Sequence, residues 1–276
     1  MTGGLQSFLV HLDGTRRAET RLELALRLAL PWRARVSAMF AVERSHLPLL
    51  PVGPGMPPLP PDVRMEAEHR RHALAVYDQA CVVSGQTCEW LDSDGAPVIE
   101  TFTQRALLAD LLVLGQRDPD DLEGCDVPAD FVESVVIGSG RPAWIVPHTG
   151  ELPRSSDIIL LAWKPTRECA RALTAAIPFL QNAHHVHLVE EDGDEMRPIP
   201  IKVRDYLHRY GIERVHEHAR LAPEDAAEQL LSIASDCDAD LLVMGCYGHS
   251  RARELLLGGV TRTILDAMTL PVLMAH

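Results

Sequence analysis

The chain has 276 residues, a mass of 30.5 kDa and a net charge of −13, a length natural for two domains of about 100–150 residues each. With 46% hydrophobic and 24% charged residues its composition is ordinary and globular, which excludes wholesale disorder, a collagen-like repeat and a disulfide mini-scaffold. Both parts are acidic, −7 over residues 1–150 (13 basic, 20 acidic) and −6 over residues 151–276 (13 basic, 19 acidic), which argues against nucleic acid as a partner but leaves open a local anion site built from backbone amides.

Short apolar runs alternate with helical patterns throughout. The first half predicts a strand over 7–12, then a helix over 16–30 with Leu22, Ala25, Leu26 and Ala29 at helical spacing. Strand 35–42, helix 62–83, strand 87–92, helix 97–108, strand 110–114, helix 129–138 and strand 142–146 follow. Residues 47–61 hold seven prolines in fifteen positions, which predicts an extended surface loop and forbids regular helix. The second half predicts strand 157–162, helix 167–181, strand 185–190, helix 197–210, strand 212–218, helix 224–236, strand 240–244, helix 258–268 and strand 271–275. Leu111–Leu114 and Leu241–Met244 are apolar at every position, the mark of strands covered on both faces.

The chain also repeats itself. Ala109-Asp-Leu-Leu-Val-Leu-Gly115 and Ala239-Asp-Leu-Leu-Val-Met-Gly245 match at six of seven positions, at an offset of 130. A proline opens an apolar run 27 residues after the first matched glycine (Pro142) and 26 after the second (Pro271). The reading is an α/β chain of two tandem, doubly wound parallel sheets, each five-stranded, with domains over 1–148 and 156–276 and a linker near 148–156. Ligands in such sheets sit at the carboxyl ends of the strands, beside the switch in strand order.

The segment that leaves strand 240–244 carries the richest chemistry. Gly245 and Gly248 allow tight turns and close backbone approach. Gly258, Gly259 and Val260 fall at the start of the next helix, where free amides and the helix dipole favour an anion. His249, Ser250, Arg251, Arg253 and Thr261 add donors. This is a phosphate cradle or, in the plainer reading, a glycine-rich turn that only closes the fold. It is neither a P-loop nor a Rossmann fingerprint.

Gly245-x2-Gly248-x9-Gly258 resembles the nucleotide-binding signature of the universal stress protein family, with Gly259 in the place of a Ser or Thr. The strand phrase Ala-Asp-Leu-Leu-Val-Met-Gly, the stretch Gly-His-Ser-Arg, the Pro-Val-Leu ending and Leu12-Asp13-Gly14-Thr15 are similar to that family as well. The resemblance covers nearly the whole chain as two tandem domains. It implies a Rossmann-like, adenine nucleotide alpha hydrolase-like fold, a stress-response role, and ATP or a related adenine nucleotide as ligand. It also implies that strands 142–146 and 271–275 pair, with the domains related by a pseudo-two-fold axis as an intramolecular pseudo-dimer. A homodimer of tandem chains stays open.

The two halves depart from that signature differently. In the first, Asp13 keeps the acidic residue after strand one. The cradle positions there are Gly115, Asp118, Pro128 and Ala129, and Asp118, Asp120, Asp121, Glu123 and Asp126 would repel phosphate. The second half has the cradle but places Lys164 where the Asp is expected, just after Ala162 and Trp163. A nucleotide is therefore expected in the second half only.

Other chemistry is sparse. His185 and His187 share one face of a strand, as do His216 and His218 of the next, and satisfied or edge-exposed histidines are the reading preferred over a metal site. The six cysteines form no C-x-x-C pair and read as buried or idle thiols. No run of 18 apolar residues marks a membrane span and no secretory signal opens the chain, so the expected compartment is the cytoplasm. No acid/base pair, triad or water-positioning set is discernible. The chain is read as a non-enzyme, with slow ATP hydrolysis or a nucleotide-free interaction module as alternatives.

Overall fold

The structure is a computed structural model that describes residues 4–43, 63–86, 88–93, 96–118, 120, 127–191, 202–222, 225–247 and 259–276. The proline-rich stretch 47–61 lies outside the described residues. Two compact units divide the chain at Ser139/Gly140.

The first unit, Met1–Ser139, contains β1 (Ser7–Leu12), α1 (Arg17–Ala29), β2 (Arg35–Phe40), α2 (Val63–Ser84), β3 (Cys88–Asp92), α3 (Val98–Ala106), β4 (Leu111–Gly115) and α4 (Phe131–Ser139). Its strands run parallel in the order β3-β2-β1-β4. Phe8, Leu12, Leu22, Met39, Phe102, Leu111, Leu112 and Leu114 form its fully buried core. The expectation of strands covered on both faces holds for β4, buried from Leu111 to Leu114.

The second unit, Gly140–His276, contains β5 (Ala143–Val146), β6 (Ile158–Trp163), α5 (Arg167–Leu180), β7 (His185–Glu190), α6 (Val203–Arg209), β8 (Val215–Glu217), α7 (Ala226–Asp236), β9 (Leu241–Gly245), α8 (Val260–Ala267) and β10 (Val272–Ala275). The order is β5-β10-β9-β6-β7-β8, parallel except for β5. β5 runs antiparallel to β10 with Ile145 opposite Val272 and Trp144 opposite Leu273, so the expected pairing of these two strands is present. Both strands are buried along their whole length. Residues 148–156, read as a linker, fall inside this unit.

The repeated Ala-Asp phrase has a structural cause. The Asp110 carboxylate accepts from the backbone N–H groups of Gln6 (2.8 Å) and Ser7 (3.0 Å), pinning the start of β1 to β4. The Asp240 carboxylate accepts from those of Asp157 and Ile158, both at 2.9 Å, and pins β6 to β9. The same side chain closes the same strand pair in each unit. Termination is also repeated: the matching helices α2 and α6 are followed by Gly85 (φ +64°) and Gly211 (φ +78°), in the left-handed region that glycine reaches without strain.

Candidate functional site

In the second unit the chain steps from β6 outward to β7 and β8, and from β9 the other way to β10. The switch in order therefore lies between β6 and β9, where α/β sheets take their ligands. The register pairs Leu161 with Val243, which carries Trp163 and Gly245 to the same level at the carboxyl ends.

Gly245 has a reason to be glycine that involves no ligand. A Cβ there would lie 2.5 Å from the Cys169 amide nitrogen and 2.8 Å from the Glu168 carbonyl carbon. The first turn of α5 packs directly on this backbone, and Thr166 caps it by accepting from the Cys169 N–H at 3.3 Å. Beyond Gly245, Tyr247 adopts φ +55°, and its N–H donates to the buried Thr261 hydroxyl at 3.4 Å. That bond ties the loop's departure to the first turn of α8. Gly259 occupies the N-cap of α8 with extended backbone, and as glycine it supplies no side-chain cap to the first turn. Ala162, Lys164, Gly245, Gly259, Val260 and Thr261 thus converge on one end of the sheet. Gly248, His249, Ser250, Arg251, Arg253 and Gly258 lie outside the described residues.

Lys164 is engaged. Its Nζ lies 2.6 Å from Glu191 Oε1, across the ends of β6 and β7, with both side chains partly exposed. Glu168, buried at the start of α5, pairs with the Arg167 guanidinium at 2.5 Å. Burial opposes its ionisation, but hydrogen bonds from Arg167, its own backbone amide and Thr166 outweigh it and hold the carboxyl below the usual range.

The matching end of the first unit is filled from within. Arg21 of α1 is buried; its Nε donates to the His11 carbonyl at 3.0 Å and its guanidinium meets Asp13 at 2.5 Å. A Cβ on Gly115 would lie 2.5 Å from Arg21 Nη1, so the guanidinium covers the first cradle glycine of this unit. The Asp13 carboxylate also accepts from the Thr15 N–H (3.0 Å) and hydroxyl (2.6 Å). Burial raises its pKa, yet Arg21, His11 and Thr15 bring it below the ordinary carboxylate value. The acidic residue implied by the family resemblance is thus held by an internal cation. Sequence reasoning missed Arg21, although a signal was present: it falls on the apolar face of α1, between Ala18 and Ala25 at helical spacing.

The histidines meet in pairs. His185 Nδ1 lies 3.0 Å from His216 Nε2, and His187 Nδ1 lies 2.7 Å from His218 Nε2. Among the described residues no group of three or more His, Cys, Asp or Glu is arranged to hold a metal ion. No helix among them is long and apolar enough to cross a membrane. A cleft of about 590 Å³ lies at the opposite end of the second unit, lined by Arg154, Asp238, Asp240 and Pro271 among others. Asp240 and Pro271 precede β9 and β10, so this cleft is at the wrong end of the sheet for the switch-point rule.

The sequence model of the universal stress protein family matches residues 156–276. Over this segment the chain is similar to the universal stress protein family. The match covers β6 through β10 and every residue of the candidate site. A universal stress protein of Synechocystis is 42% identical over 48 residues, 17% of this chain and 17% of that one. One from Methanocaldococcus jannaschii is 37% identical over 46 residues, 17% of this chain and 28% of that one. The alignments therefore span well under a third of these relatives' own lengths. The crystal structure of a universal stress protein from Archaeoglobus fulgidus matches 97% of this chain and 94% of its own, with a TM-score of 0.69 and 17% identity. That likeness extends the fold to the first unit.

Proposed function

We propose that the chain is a tandem universal stress protein, a cytoplasmic stress-response regulator with domains over 1–148 and 156–276, whose second domain binds ATP or a related adenine nucleotide. The observation that carries this reading is the contrast between the two strand-switch ends. In the first unit Arg21 and Asp13 occupy one another beside Gly115. In the second, Gly259 stands at the N-cap of α8, Thr261 of its first turn is tied to Tyr247 just beyond Gly245, and the signature spacing Gly245, Gly248, Gly258 is complete. The first-turn amides and dipole of α8 suit a phosphate group. Gly259, Val260 and Thr261, with Gly248, His249, Ser250 and Arg251, would surround it, and Ala162 and Lys164 would border the nucleoside side.

One observation favours a nucleotide-free interaction module instead. Lys164 is paired with Glu191, so one candidate donor is already engaged. Denaturing the purified protein and assaying the supernatant for released nucleotide, followed by calorimetry with ATP, ADP and AMP, separates the two. Retained or titratable adenine nucleotide supports the first reading; neither, at high protein concentration, supports the second.

A further inference from the structure

His185, His187, His216 and His218 form a continuous stripe on the outermost pair of strands in the second unit. His187 stands opposite His216 in the parallel register, with ring centroids 5.1 Å apart and nearly parallel planes. The other neighbours are as close, His185 with His216 at 5.2 Å and His187 with His218 at 5.0 Å. Each hydrogen-bonded pair needs one ring nitrogen with its proton and one without. Neutral rings satisfy this, and so does one added proton per pair. Two added protons leave two donors facing each other across 2.7–3.0 Å, with both bridges lost and two cations in contact.

Among the described residues, burial and the other imidazoles are what act on the His187 ring. The β6 residues opposite His185 and His187 are Ile158 and Leu160, both apolar. Glu217 lies on the other face of β8 from His216 and meets Arg204 at 3.4 Å. Arg214 precedes the stripe and Arg220 follows it, the latter 3.6 Å from Glu190. Burial and then the three other imidazoles push the His187 ring toward the neutral form. β8 itself is weakly held: it has three residues and β7 as its sheet neighbour. Its described attachments include backbone bonds such as His218 N–H to Leu188 O at 2.9 Å, the buried Val215 and Leu221, and the two imidazole bridges.

We propose that this stripe is a proton-sensitive clasp. Neutral or singly protonated pairs hold β8 on β7, and double protonation of a pair releases the edge strand while the rest of the second unit stays folded. The inference does not rest on the nucleotide reading.

Amide hydrogen exchange on the full chain, corrected for the intrinsic pH dependence and carried out with chelator present, tests it. Between pH 7 and pH 5 the protection of the His218 and Leu221 amides is expected to fall at least tenfold further than that of Leu160 and Leu161 in β6, which report opening of the whole unit. His187→Gln with His185→Gln keeps amide donors but cannot titrate, and should remove that difference. If this double variant does not fold, His216→Gln with His218→Gln on the edge strand serves the same purpose. Parallel loss of protection in β8 and β6, or an unchanged difference in a folded glutamine variant, would overturn the proposal.

Discussion

The Arg21 guanidinium and the Asp13 carboxylate meet at 2.5 Å at the carboxyl end of β1, both buried, with the guanidinium over Gly115. Removing one partner of a buried pair leaves an uncompensated charge, which costs about 3–5 kcal/mol. Arg21→Ala and Asp13→Ala should each lower the unfolding free energy by about that amount in urea melts. Replacing both, as Asp13→Asn with Arg21→Met, should cost clearly less than the sum of the singles. Additive losses would show that the two charges do not depend on each other.

His11 makes the first unit acid-labile. Its ring is buried between Phe102 (centroids 5.6 Å apart) and Phe131 (4.3 Å), and Nε2 donates to the Ala41 carbonyl at 2.8 Å. Burial lowers its pKa to about 4, with Arg21 acting in the same direction and Asp13 opposing. Above the unfolded value near 6.5 neither state binds the proton, and stability is complete. Between 6.5 and 4 the unfolded chain takes up a proton that the folded chain refuses, so stability falls, by about 3 kcal/mol at 1.36 kcal/mol per pKa unit. Asp13, whose folded pKa is depressed, adds a further loss as pH drops through the unfolded carboxylate value. His11→Gln keeps a donor for Ala41 and should flatten the 6.5-to-4 part of a stability–pH curve. An unchanged slope would show that other groups drive the loss.

β5 belongs energetically to the second unit. Ile145 and Leu273 are fully buried, and Trp144 packs edge-on against Phe179 of α5 with centroids 5.1 Å apart. Ile145→Glu or Leu273→Glu should destabilise that unit by about 3–5 kcal/mol, the cost of a buried, unpaired charge. A fragment of residues 140–276 should melt well above one of residues 150–276. Equal melting temperatures would mean that β5 contributes little.

Gly259 separates helix capping from ligand binding. Gly259→Asp supplies the side-chain cap that α8 lacks and places a negative charge at the positive end of the helix. Stability should rise by about 0.3–1 kcal/mol in thermal melts, while nucleotide affinity falls at least tenfold through repulsion of the phosphate. A more stable protein with unaltered affinity would remove the start of α8 from the site.

Much of the fold is legible because it is written in patterns that survive without coordinates. The all-apolar strands and the duplicated Ala-Asp phrase each reflect one local physical need. Asp110 and Asp240 were readable as a repeat, but their bonds to the starts of β1 and β6 required the strand order. Long-range contacts were less legible: the Arg21–Asp13 pair follows from no spacing, and the four histidines read as sharing neighbouring strands but not as hydrogen-bonded pairs. Gly245 illustrates the ambiguity in a motif glycine, since its lack of a side chain is already required by α5.

The most direct measurement is calorimetric titration of the full-length protein with ATP, comparing wild type, Gly248→Asp and Asp118→Gly. The account predicts one nucleotide per chain, loss of binding in Gly248→Asp, and neither loss nor a second site in Asp118→Gly. Two nucleotides per chain, no binding at all, or binding that survives Gly248→Asp would contradict it.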